Sequence, residues 1–113
     1  MKMQLLLEYF VASEKEFTMS DMSEPLFDLG QVVATPGALQ ALVEANQKPS
    51  EFLRRHVTGD WAELPEEDQQ ENIRSLEFGN RIFSSYKLAT GEKLWVITEW
   101  DRSVTTLLLP NEY

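Results

Sequence analysis

Arg81-Ile82-Phe83-Ser84-Ser85-Tyr86-Lys87-Leu88, Lys93-Leu94-Trp95-Val96-Ile97-Thr98-Glu99-Trp100 and Ser103-Val104-Thr105-Thr106-Leu107-Leu108-Leu109 follow one another with only Ala89-Thr90-Gly91-Glu92 and Asp101-Arg102 between them. β-Branched and aromatic residues fill the three runs, and turn formers fill the two gaps. This pattern predicts a three-stranded antiparallel meander over the last third of the chain. Alternation places Ser84 and Tyr86 on one face of the first strand, and Arg81 and Ser85 on the other. On the second strand Thr98 shares a face with Trp100.

Working back from Gly79, the pattern changes to helix. Pro65 opens a helix with Glu66, Glu67 and Asp68 in its first turn, where the helix dipole favours negative charge. Ile73 and Leu76 give this helix a thin apolar stripe, and Gly79 stops it as a left-handed C-terminal residue. Thr58-Gly59-Asp60-Trp61 reads as a loop. Pro49-Ser50 starts another helix through Phe52, Leu53 and His56, with Glu51 and Arg55 one turn apart and able to pair. Thr35 caps a further helix with Pro36 at its first position; Leu39, Leu42 and Val43 form its apolar face, and Asn46-Gln47-Lys48 ends it. Gln31-Val32-Val33-Ala34 is a short strand. The fold class is therefore α+β: a short N-terminal strand, three helices, then the meander, with the helices packed on one face of the sheet.

A chain of 113 residues is one domain. The compact part runs from 26 to 113, and residues 1–25 read as an extension or linker. A rival reading makes the N-terminal segment a strand or helix that docks on the domain. The 42% apolar and 26% charged content is that of an ordered globular chain. No cysteine is present, which excludes disulfides and thiolate metal sites and fits a reducing, cytoplasmic setting. The run Leu5-Leu6-Leu7 is cut by Glu8, far short of a membrane span. No metal-ligand spacing, phosphate loop or other cofactor signature occurs.

The formal net charge of −9 is unevenly placed. Up to Gly79 there are fifteen acids and six bases; from Asn80 there are four of each. The densest acidic stretch runs from Asp60 to Glu77, with Asp60, Glu63, Glu66, Glu67, Asp68, Glu71 and Glu77 against Arg74 alone. Such a surface repels phosphates, so non-specific nucleic-acid binding is disfavoured and a basic protein partner is favoured. The plainer alternative is a solvated helix face that maintains solubility. His56, the only histidine, follows Arg54-Arg55 near a helix end. It can be read as a general base or as a structural helix-end cation. The three tryptophans read as core or rim packing.

The blocks Val32-Val33-Ala34-Thr35-Pro36-Gly37-Ala38-Leu39, Arg55-His56-Val57-Thr58-Gly59-Asp60-Trp61, Trp95-Val96-Ile97-Thr98-Glu99, Asp101-Arg102-Ser103, Thr105-Thr106 and Leu108-Leu109-Pro110-Asn111-Glu112-Tyr113 resemble a family of short, uncharacterised bacterial proteins. Its members are carried on plasmids, prophages and integrative elements and are described as plasmid-related. The resemblance spans Leu26 to Tyr113, and departs at Ala62 and Trp100. It implies a mobile-element setting and no particular activity. A more distant similarity, in element order, is to the barnase, colicin and RelE-like nucleases. It implies His56, Arg81, Thr98 and Arg102 as catalytic positions of a metal-independent ribonuclease. The two expectations are thus a small acidic accessory protein that binds a basic partner, in a host-defence or regulatory complex, and a toxin-type ribonuclease.

Overall fold

The computed structural model describes Gln4–Leu5 and residues 24–113. The expectation about residues 1–25 therefore falls largely outside the described residues. Among the described residues five strands form one sheet: β1 (Gln4–Leu5), β2 (Gln31–Ala34), β3 (Ile82–Lys87), β4 (Lys93–Thr98) and β5 (Val104–Leu108), in the spatial order β1-β2-β5-β4-β3. Helices α1 (Pro36–Ala45), α2 (Pro49–Val57) and α3 (Glu66–Phe78) lie between β2 and β3 in the chain, and a 3₁₀ turn, Pro110–Glu112, follows β5. The α+β class, the three helices and the antiparallel β3-β4-β5 meander are as the sequence predicts.

The short strand enlarges this picture. β2 lies parallel to β5, with Gln31 opposite Val104 and Ala34 opposite Leu107, and β1 adds two antiparallel residues outside it. A parallel pair needs a long crossover. Here the crossover contains α1, α2, α3 and the first two strands of the meander, so β2 and β5 join segments some seventy residues apart.

Burial alternates along the strands. Val32, Ala34, Ile82, Ser84, Tyr86, Leu94, Val96, Thr98, Thr105 and Leu107 are buried on the helix side. They meet Ala38, Ala41 and Leu42 of α1 and Phe52 and Leu53 of α2. A smaller cluster of Trp61, Leu64 and Ile82 sits under Phe27, Leu76 and Phe83.

The helix ends follow the local signals. Thr35 Oγ1 accepts from Ala38 N at 3.1 Å and donates to the Glu112 carboxylate, which also accepts from Leu109 N at 2.9 Å. The C-terminal turn is thereby fastened to the start of α1. Asn46 and Gly79 take left-handed conformations after α1 and α3.

Three sequence expectations need correction. The buried face of α1 is Ala38, Ala41 and Leu42, while Val43 is 62% exposed. Small residues face the sheet because they let the helix approach it closely. Arg55 does not pair with Glu51; it binds Asp60 at 2.7 Å and Glu63 at 2.9 Å, with its guanidinium 4.4 Å above the Tyr86 ring. Finally, Ile73 does not face the core. The buried residues of α3 are Asn72 and Ser75. Asn72 pairs its amide with Phe83, donating to the carbonyl at 2.7 Å and accepting from the N–H at 3.0 Å, as a neighbouring strand would. It covers part of the β3 edge, a position otherwise open to strand addition.

Gly30 and Gly79 supply a direct test of the backbone. Both have positive φ, but a Cβ on Gly30 would lie 2.4 Å from the carbonyl oxygens of Arg102 and Ser103, whereas one on Gly79 meets nothing within 4 Å. Gly30→Ala is expected to lose at least about 2 kcal/mol of stability, and Gly79→Ala about 1 kcal/mol. Urea unfolding of the two variants checks the order; equal losses would contradict the close packing of Gly30 on the β4–β5 turn.

Candidate functional site

His56 projects from α2 into the sheet and is completely buried. Its Nδ1 meets Ser84 Oγ on β3, and its Nε2 lies 2.9 Å from Thr98 Oγ1 on β4. Thr98 Oγ1 is 2.7 Å from Thr105 Oγ1 on β5, and Thr105 donates to the Leu29 carbonyl at 2.7 Å. These bonds fix every proton. Thr105 has one hydroxyl hydrogen, and Leu29 O takes it. Thr98 must then donate to Thr105, so it can only accept from His56. Nε2 therefore carries the ring proton, and the bare Nδ1 accepts from Ser84. A neutral imidazole satisfies the whole chain; a second ring proton, on Nδ1, would require the Ser84 hydroxyl to turn its own hydrogen away.

Electrostatics favour the same state. Burial, and then the Arg102 cation, hold the His56 pKa down from 6.5 to about 3. Phe27 closes the site with its ring edge-on to the imidazole at 5.2 Å, and Trp61 Nε1 donates to the His56 carbonyl at 3.2 Å.

Arg102 is committed to backbone. Its Nη1 donates to the carbonyls of Asn80 at 2.6 Å, Glu99 at 3.1 Å and Trp100 at 3.2 Å; its Nη2 reaches Ser75 O at 2.9 Å. It joins the end of α3 to the β4–β5 turn. Arg102 itself has φ 60°, and Asp101 Oδ1 completes the turn by accepting from Ser103 N and Oγ.

Arg81 stands apart, on the face of the sheet away from the helices. Its Nη1 donates to Tyr113 Oη at 2.9 Å, and Glu99 lies 3.4 Å away. Of the four positions implied by the nuclease similarity, only His56 and Thr98 touch, and both are buried. The four do not converge on one accessible surface.

Comparison with known protein families, characterised proteins and solved structures finds no match.

The acidic residues divide into two groups. Asp60 and Glu63 hold Arg55, and Glu63 also accepts from Lys87 N at 2.8 Å. The Arg55 hydrogen bond keeps the Asp60 carboxyl below its ordinary pKa. Glu66, Glu67, Asp68 and Glu71 are exposed on α3, with only Glu71 paired, to Arg74. Two features escape a sequence reading. Ile73 and Phe78 on α3 and Trp100 beside it are 51%, 68% and 64% exposed. On the open sheet face, Arg81, Phe83, Trp95, Ile97 and Tyr113 line a common groove. Strand alternation carries a signal for the latter, since Phe83 shares parity with Arg81 and Trp95 with Glu99; Tyr113 carries none.

The buried histidine gives a pH prediction. The folded pKa lies below the unfolded value, so between about pH 6.5 and 3 the unfolded chain binds the extra proton. Its contribution to stability is complete above pH 6.5 and is lost as pH falls, by about 1 kcal/mol per pH unit. His56→Gln, which cannot titrate, is expected to cost about 1–3 kcal/mol at pH 7.5. That deficit should shrink steadily from pH 6.5 to 4.5 in urea titrations; a constant deficit would contradict a neutral His56.

Proposed function

We propose that the chain is a non-catalytic accessory protein that binds a basic protein surface through α3. The observation that carries this reading is the inverted polarity of the helix. Its fully buried side chains are the polar Asn72 and Ser75; of its apolar residues Leu76 alone packs inward, half-buried, while Ile73 and Phe78 face solvent among Glu66, Glu67, Asp68, Glu71 and Glu77. A helix of a monomer normally buries its apolar residues. Exposed large apolar side chains ringed by charge suit an interface, with the apolar groups as anchors and the charges as steering elements.

Trp100 extends the patch. Its carbonyl and that of Asn80 bind the same Arg102 nitrogen, so the turn and the end of α3 are held side by side. The sealed state of His56 favours binding over catalysis, because no proton acceptor is presented there to a substrate. The resemblance to plasmid- and prophage-borne proteins supplies the setting in this proposal: a host-defence or regulatory complex with a basic surface.

Replacing Glu66, Glu67, Asp68 and Glu71 by Gln is expected to slow association about tenfold or more at low salt. The cost to stability is at most about 1 kcal/mol per site. Phe78→Ser should weaken the complex by about 2 kcal/mol without the same salt dependence. The measurement is capture from host lysate by wild type and both variants at low and high salt, followed by kinetics with the purified partner. Capture of a basic protein that weakens as predicted supports the reading. Equal capture by all three proteins, or capture by none, contradicts it.

A further inference from the structure

The open face of the sheet carries a groove that neither the histidine chain nor α3 uses. Arg81, Phe83, Trp95, Ile97 and Tyr113 enclose about 260 Å³. Sites for drug-sized molecules occupy about 300–1,000 Å³, so this one suits a single flat ring system. Ile97 is buried at its floor, and Tyr113 is two-thirds exposed at its rim. Phe83 and Trp95 meet at 89° with centroids 5.1 Å apart, and Trp95 and Tyr113 at 68° and 5.8 Å. Trp95 and Phe83 are half-buried and Tyr113 is exposed, which leaves aromatic surface for a ligand.

Arg81 sets the chemistry of that ligand. A guanidinium has five N–H donors. Arg81 donates from Nη1 to Tyr113 Oη at 2.9 Å and meets Glu99 through Nη2 and Nε at 3.4 Å, which leaves one N–H on each terminal nitrogen. Donors therefore remain for a flat acceptor edge. An aromatic peptide side chain would fill the groove but offer that edge little or nothing. A nucleobase offers a stacking face and ring acceptors together, and unpaired bases are recognised by such stacking with hydrogen bonds to their edges.

Local charge agrees. The chain is acidic as a whole, but the β3–β4 hairpin and its flanks carry Arg81, Lys87 and Lys93 against Glu92 and Glu99. Lys93 shares the face of Trp95 two residues away, about 7 Å along the strand. That places its ammonium within reach of a phosphate attached to a base on Trp95.

We propose that this groove holds one unpaired base of single-stranded nucleic acid, stacked on Trp95, with its acceptor edge on Arg81 and an adjoining phosphate near Lys93. The acidity of the remaining surface confines binding to this face and keeps it to few phosphates, which gives a shallow salt dependence.

The test uses the full chain and fluorescein-labelled single-stranded hexanucleotides, read by anisotropy at low salt. Wild type is expected to bind the single strand and not the same sequence in a duplex. Trp95→Leu and Arg81→Lys should each weaken binding about tenfold. Tyr113→Ala, which removes an exposed ring, should weaken it in the same direction and guards against misfolding of the Trp95 variant; thermal unfolding checks all three. Unchanged binding by Tyr113→Ala and Arg81→Lys would overturn the proposal. So would no binding at concentrations well beyond the roughly 0.1 mM typical of weak non-specific association. Displacement of the hexamer by an equal concentration of a mononucleotide would overturn the strand as ligand. Displacement by an equal concentration of the peptide Gly-Trp-Gly would overturn the base.

Discussion

The structure depends on one buried chain of hydrogen bonds, from Ser84 through His56, Thr98 and Thr105 to the Leu29 carbonyl. It crosses three adjacent strands and joins them to α2 and to the segment before β2. Each of these side chains is buried, so each loses water on folding and must find a protein partner. Apolar packing alone would tolerate small shifts of α2 over the sheet. This chain does not, because displacement would leave several polar atoms unpaired in a low-dielectric interior.

The same arrangement separates the two surfaces proposed for binding. Among the described residues, most polar side chains on the helix side of the sheet are paired internally, the buried Ser75 hydroxyl excepted. Arg102 satisfies backbone carbonyls, Arg55 holds Asp60 and Glu63, and His56 is closed over by Phe27. What is left outward is the acidic, partly apolar surface of α3 and the aromatic groove beside Arg81. The first has the character of a protein interface and the second of a site for a flat ring.

Much of the fold is legible in the sequence because its signals are local. Thr35-Pro36, Pro49, the acidic turn after Pro65, Gly79 and the two hairpin breaks each act within a few residues, and β3 between them alternates along its length. The parallel pairing of β2 with β5 is not legible, since it joins residues some seventy positions apart with no turn to mark it. The acidic stretch was legible as composition, but not its division. That Asp60 and Glu63 turn inward to Arg55 depends on the loop before α3, which brings three side chains together over Tyr86. His56 was open to two readings because its partners, Ser84, Thr98 and Thr105, come from three other elements. The α3 stripe misleads for a related reason: the Asn72 side chain is held by the β3 edge and the Ser75 carbonyl by Arg102, and those long-range bonds fix how the helix sits on the sheet.

The central claim is that His56 is a sealed, neutral structural group. Nitrogen chemical shifts of its ring, measured by NMR in the folded protein between pH 7 and 5, test this most directly. The account predicts a neutral imidazole protonated at Nε2, with Nδ1 unprotonated and neither signal moving across the range. Titration of the ring near pH 6.5, or protonation at Nδ1, would contradict it.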